Sequence, residues 1–149
     1  MSQENVETAR RIYESYARGD LAPVELLDPE IEWRGPREFP DLAEPHYGHE
    51  GVRRYVAKVR EAIDDYRVTP EEFVDVGPDL VLVLSREGGR GRGSGAEVQT
   101  HLTAHVWTLR DGKAVRMQSY WERADALEAV GLSEQDIHND SPSLGPTAR

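Results

Sequence analysis

Cysteine is missing from all 149 residues. That removes disulfides, thiolate metal ligands and cysteine nucleophiles together, and it leaves the redox compartment open, since a chain without thiols survives in either. Positive charge is also scarce, with 18 Lys and Arg against 28 Asp and Glu and a net charge of -10. A surface of that sign repels phosphates, which argues against a nucleic-acid partner, and it is repelled by an anionic membrane. No apolar run approaches the length of a membrane span. The start Met-Ser-Gln-Glu-Asn-Val has neither the basic opening nor the apolar block of a signal peptide, so the expected address is the cytoplasm. What is present is 38% hydrophobic and 31% charged residues. That suits one globular domain with a proper core, in a chain too short for two of ordinary size.

Two alternating runs, Val98 to Leu109 and Ala114 to Trp121, meet at Asp111-Gly112. An Asp-Gly step between such runs is a strong hairpin signal, because glycine accepts the positive φ that the turn requires. The two-residue period places His101, Thr103, His105, Trp107 and Leu109 on one face of the first strand. It places Val115, Met117, Ser119 and Trp121 on one face of the second. An imidazole among large apolar neighbours is a common lining for a small-molecule pocket.

Upstream, Val6, Ala9, Tyr13 and Tyr16 share a helical face over about 4–18, ended by Gly19. Ile31 to Trp33 reads as a brief strand after Asp28-Pro29, and the proline-rich stretch Pro36 to Gly48 reads as a long loop. A second helix is predicted over 49–65, with Val52, Tyr55, Val56, Val59 and Ile63 inward. Strands follow over 67–76 and 80–86, then the hairpin, then a helical turn over 122–130. Residues 1–132 are expected to form the single domain and 133–149, polar and holding two prolines, a disordered tail. Helices and a short strand followed by long antiparallel strands give an α+β fold.

This order, with Tyr16-Ala17-Arg18-Gly19-Asp20, Asp28-Pro29-Glu30-Ile31-Glu32-Trp33, Gly48-His49-Glu50-Gly51 and Asp111-Gly112-Lys113-Ala114-Val115, resembles the SnoaL-like branch of the NTF2-like superfamily over about residues 4–132. The resemblance implies a cone-shaped, strongly bent antiparallel sheet wrapped around helices, with an enclosed apolar cavity. It also implies a homodimer through the outer sheet face. The scaffold hosts polyketide cyclases, steroid isomerases, epoxide hydrolases, dehydratases and non-catalytic binders, so fold alone does not choose among them. In SnoaL-type cyclases a strand aspartate seven residues before the hairpin glycine is the acid/base; here that position is His105. The steroid isomerases' oxyanion-hole acid falls on His105 as well. Their helix tyrosine falls near Ile12, beside Tyr13, and their general-base aspartate near Trp33 or Arg34. Trp121 matches one of their pocket tryptophans. With both carboxylates missing, the residue set argues against a steroid isomerase mechanism.

His105 is therefore the expected catalytic residue, since an imidazole with a pKa of about 6.5 exchanges protons near neutrality. Trp33, Trp107 and Trp121 are expected to wall the cavity, with Tyr16 and Tyr55 as phenol donors to a ligand oxygen, ahead of Tyr13 and Tyr47. His101 is placed at the rim. His46, His49 and Glu50 lack the further ligands a zinc site needs, so no metal is expected. The run Gly88 to Gly95 lacks the lysine and threonine of a P-loop and reads as a flexible or bulged hairpin end. Glu30 and Glu32 should point away if Trp33 points in, and the face of Arg86 stays open. The expected function is a cofactor-independent enzyme of lyase, isomerase or cyclase type, transferring a proton on an apolar cyclic ligand. The alternatives are a non-catalytic binder of a hydrophobic metabolite, or a structural or dimerisation domain.

Overall fold

The first helix, α1, spans Ser2–Ala17. Its apolar period turns one stripe inward, and Ala9, Ile12 and Tyr13 are buried in the main core. Gly19, at φ +92°, closes it: the Gly19 N–H donates to the Tyr16 carbonyl and the Asp20 N–H to that of Ser15. After a 3₁₀ turn at Val24–Leu26, strand β1 runs over Leu27–Arg34. The expected strand was shorter, because Asp28-Pro29 read as a break. The proline instead lies inside β1, exposed, where pairing with the neighbouring strand is interrupted between Leu27 and Glu32; no ladder bond is lost there.

The expected loop after Gly35 contains a short helix, α2 (Pro40–Ala43), and a two-residue strand, β2 (His46–Tyr47). Helix α3 (Gly48–Ala62) passes without a loop into β3 (Ile63–Asp75), so the helix stops three residues before its expected end. Asp65 has φ +55° and the register shifts between Asp64 and Arg67, which marks an irregularity at the start of the strand. Strands β4 (Leu80–Gly91), β5 (Glu97–Arg110) and β6 (Lys113–Tyr120) follow, then α4 (Arg123–Ala129) and α5 (Glu134–Asp140). This computed structural model describes residues 2–91, 93 and 97–140. Of the Gly88–Gly95 run, 88–91 therefore belongs to β4, and much of the remainder lies outside the described residues.

The hairpin forms as its sequence requires. Asp111 and Gly112 both take positive φ, +52° and +77°, between the paired residues Arg110 and Lys113, a two-residue type I′ turn. One face assignment changes on β6. Thr108 pairs with Arg116 and Leu109 with Ala114, so Val115 is the extra residue, and Ala114 takes its expected place in the core.

The six strands form one sheet in the order β2-β1-β6-β5-β4-β3. It departs from a purely antiparallel sheet at one pair, β1 with β6, which is parallel. Its concave face packs on α1 and α3 around Ile12, Tyr13, Ile31, Val52, Trp107 and Leu109, giving the bent α+β fold that the sequence predicts. A smaller cluster on the opposite face joins Leu82, Leu84 and Ala104 to Ala126, Leu127 and Ile137 of α4 and α5. The chain after Ser133 thus begins as a helix with Ile137 buried, where disorder was expected; residues 141–149 lie outside the described residues. No described helix is long and apolar enough to cross a membrane.

Candidate functional site

Alternation along β5 turns Thr103, His105 and Trp107 to the concave side, and all three are buried. His105 has partners at both ring nitrogens. Its Nδ1 lies 2.5 Å from the Tyr13 hydroxyl of α1, and its Nε2 lies 2.8 Å from Glu87 Oε2 of β4. Trp107 Nε1 donates to the same Tyr13 oxygen at 2.9 Å. An indole N–H only donates and a carboxylate only accepts, so the proton positions follow. The Tyr13 hydroxyl donates to Nδ1, and Nε2–H donates to Glu87. Glu87 Oε2 also accepts from Thr103 Oγ1 at 2.8 Å, while Oε1 accepts from the Tyr66 hydroxyl. Ser85 Oγ and Thr103 Oγ1 are 2.9 Å apart and extend the chain across the β4–β5 pair.

Burial alone would push the Glu87 carboxyl up. The hydrogen bond from His105, with those from Tyr66 and Thr103, outweighs it and holds the group below the usual carboxylate range. Burial pushes the phenols of Tyr13, Tyr16, Tyr55 and Tyr66 up, and nearby charge from Glu87 adds to the shift in each. They stay protonated and available as donors. Tyr13 and Tyr66 spend their protons inside the network. The hydroxyls of Tyr16 and Tyr55 make no hydrogen bond to another described residue, although Tyr55 is 92% buried by its 8% exposure.

Two spaces meet at this network. The inner one is a small, partly open cavity of about 30 Å³, lined by Tyr16, Trp33, Tyr55, Glu87, His105 and Trp107 among others. That is room for roughly one water. The outer one is an open cleft of about 950 Å³ between α3, the 36–42 segment and the ends of β3 and β4, within the roughly 300–1,000 Å³ of small-molecule sites. Tyr55, Val59, Tyr66 and Glu87 line both. The single ring-sized cavity expected inside the cone is therefore corrected. Trp33 and Trp107 fill the interior, 5.5 Å apart edge to face, and leave water-sized space. Trp121 is outside it, lining the cleft, stacked on His101 at 3.8 Å and edge-on to Phe39 at 5.0 Å. The structure brings His105, Tyr16, Tyr55, Trp33 and Trp107 together and leaves Trp121 at the mouth. A further surface depression of about 610 Å³ lies beside Gly19 and Arg60 and holds none of the predicted site residues.

The other titratable candidates have structural partners. His46 Nδ1–H donates to the Glu44 carbonyl at 2.9 Å, and His49 Nε2–H to that of Leu27 at 2.8 Å. No group of three or more His, Asp or Glu is placed to hold a metal among the described residues. Glu32 pairs with Arg34 at 2.7 Å, on the face opposite Trp33. Arg86, whose face the sequence left open, points outward to Glu71. Glu87 is the residue that sequence reasoning missed. Ending the strand at Arg86 hid it, although Val81, Val83, Ser85 and Glu87 alternate onto the concave face, and a carboxylate at such a position is a signal in itself.

A family model, the SnoaL-like domain, matches residues 9–117. Comparison with curated proteins gives no match. Among solved structures, an NTF2-like protein of unknown function from Burkholderia pseudomallei is 25% identical, with TM-score 0.71 over 85% of this chain and 97% of its own. TerC, crystallised with polyporic acid, is 26% identical, with TM-score 0.70 over 86% of this chain and 98% of its own. A putative SnoaL-like polyketide cyclase from Jannaschia is 22% identical, with TM-score 0.67 over 88% and 94%, and shares the fold. With nearly three quarters of its length inside the family model, the chain belongs to the SnoaL-like domain family of NTF2-like proteins.

Proposed function

We propose that this protein catalyses a cofactor-independent proton transfer on an apolar cyclic ligand seated in the outer cleft, with Glu87 as the base. The observation that carries the reading is the position of Glu87: a largely buried, ionised carboxylate that lines both the cleft and the inner cavity. The sequence put His105 in this role. Both of its nitrogens are engaged, so it serves as a positioning residue, holding Glu87 ionised and oriented. Oε1 of Glu87 has only Tyr66 as a partner, which leaves a lone pair for a substrate proton.

A carboxylate held below its usual range is a weak base, so the proton it takes must be acidified by an adjacent carbonyl. The free hydroxyl of Tyr55, which lines the cleft, is suited to that oxygen. In the step, the C–H electron pair becomes an enolate stabilised by that donor and Glu87 gains the proton. Return of that proton to another carbon, or to a leaving oxygen, completes an isomerisation, cyclisation or elimination. TerC, a relative in fold, was crystallised with polyporic acid, which supports an organic ligand in this scaffold.

The test is hydrogen–deuterium exchange at the α carbons of 2-tetralone in D₂O, followed by proton NMR. The wild-type protein should exceed the buffer rate. Glu87→Gln should abolish the excess, and Tyr55→Phe should reduce it by about tenfold. Binding of the ketone without exchange above buffer would leave the binder reading in its place.

A further inference from the structure

Lys58 is the one cation among the described residues that line the outer cleft, and its surroundings hold it without neutralising it. It stands on α3 one turn from Tyr55 and beside Val59, on the stripe that forms the cleft wall. Its Nζ donates to the Asp41 carbonyl oxygen at 3.0 Å and to His46 Nε2 at 2.9 Å. Both acceptors are neutral. The Nδ1 proton of His46 is committed to the Glu44 carbonyl, so Nε2 presents a lone pair. Burial, and then the charge of Lys58, push the His46 pKa down, which keeps it in that form. Two of the three ammonium protons are thus fixed in direction, and no carboxylate of a described residue lies within ion-pair distance. The other charged groups on the cleft are Asp41, Glu61 and Glu87. Asp41 and Glu61 are exposed, where solvent screens them, and Glu87 is engaged by His105, Thr103 and Tyr66.

A lysine pinned by a carbonyl and an imidazole, with a third proton and its whole charge to spare, is a preorganised anion site. We propose that the cleft is selective for a cyclic ligand bearing an anionic oxygen substituent, which docks on Lys58 while the apolar body lies against Phe39, Leu42, Ile63 and Trp121. This rests on the cleft being the ligand site and adds the chemical class of what enters it. The anion and Glu87 repel one another, so the geometry favours a ligand whose charged substituent and reacting carbon lie at opposite ends. Lys58 is then a specificity residue, with no part in the proton transfer.

A matched pair of dyes tests this. 1-Anilinonaphthalene-8-sulfonate and N-phenyl-1-naphthylamine share one ring system, and only the first carries an anion. Fluorescence titration of the whole chain should show the sulfonate binding more tightly. Lys58→Met should weaken the sulfonate about tenfold and the neutral dye less than twofold, and Lys58→Arg should recover most of the loss. Trp121→Ala should weaken both, locating them in the cleft. If Lys58→Met weakens both dyes equally, the lysine only holds the 36–43 segment and the proposal fails. If it moves neither dye while Trp121→Ala weakens both, the anion assignment fails and the cleft remains a ligand site. If neither dye binds the wild-type protein, or Trp121→Ala moves neither, the cleft is no ligand site, and both the anion assignment and the Glu87 mechanism fall.

Discussion

Replacing Glu87 with glutamine keeps the shape of the side chain and removes its charge. The carboxylate accepts from His105, Thr103 and Tyr66. Hydrogen bonds to a charged group contribute roughly 1.5–3 kcal/mol each and neutral ones about 0.5–1.5. The glutamine oxygen can keep His105 and Thr103, and its NH₂ can donate to the Tyr66 oxygen, so no bond need be lost. Three weakened bonds, less the relief of not burying a charge, give a net loss of about 1–3 kcal/mol at pH 7. Glu87→Leu strands all three donors and should cost about 3–5 kcal/mol, the range for breaking a buried pair from one side. For a chain of this size those losses lower the melting temperature by roughly 3–9 °C and 9–15 °C.

The assay is urea denaturation of wild type and Glu87→Gln at pH 7, 5 and 3. The folded state holds the Glu87 pKa below its ordinary value of 4.5. Its stabilisation is therefore complete above that value and disappears as pH falls through the lower folded one. The gap between the two proteins should be full at pH 7, nearly full at pH 5, and narrowing at pH 3. Acid effects at other carboxylates, such as Glu71 beside Arg123 and Arg86, are common to both proteins and cancel in the difference. A gap that is equal at pH 3 and pH 7, or that widens in acid, would refute the placement of an ionised Glu87 under these donors.

Tyr13→Phe leaves Trp107 Nε1–H and His105 Nδ1 buried without their shared partner, and should cost about 2–4 kcal/mol by chemical denaturation. Combined with Trp107→Phe, its cost should be clearly less than additive, since the two remove one hydrogen bond between them; strict additivity would dissolve the pair. The two inner tryptophans provide an internal control. Trp33 Nε1 is buried with no partner among the described residues, whereas Trp107 Nε1 has one. Trp107→Phe should therefore be the more destabilising by roughly 1 kcal/mol or more, and equal losses would count against the network.

Much of this fold is legible from local chemistry. Asp111-Gly112 dictates its own turn, and the helix stripes of α1 and α3 follow from their apolar spacing. The misreadings fall where tertiary context overrides a local signal. Pro29 breaks nothing because it lies at a gap in the β1–β6 pairing. Ile63 continues the apolar period of α3 and yet begins β3, since a β-branched residue serves either element. The glycines after Glu87 look like loop, but Gly88 and Gly89 remain in β4. Adding a Cβ at Gly89 would bring it within 2.7 Å of the Asp64 carbonyl oxygen, so the close approach of β3 explains that residue better than flexibility does. For the site, the period-two pattern finds His105 and Trp107. It has no means of showing that Glu87, 18 residues earlier, reaches the same ring. Nor does it show that the tryptophans divide between an interior and a mouth. Those facts arise from the bend of the sheet, which no local signal carries.

The bond between Tyr13 and His105 joins residues 92 positions apart, and that from Trp107 to Tyr13 spans 94. The polar centre is thus assembled across nearly the full span of the domain, and no short fragment contains it. A chain in which α1 has not docked leaves an imidazole and an indole facing an unfilled gap, with His105 holding its bond to Glu87 but lacking its partner at Nδ1. Pairings of such long sequence separation form slowly, so the closed network should be among the last features a refolding molecule acquires. The hairpin turn can close early and independently. The polar centre waits for α1 to dock.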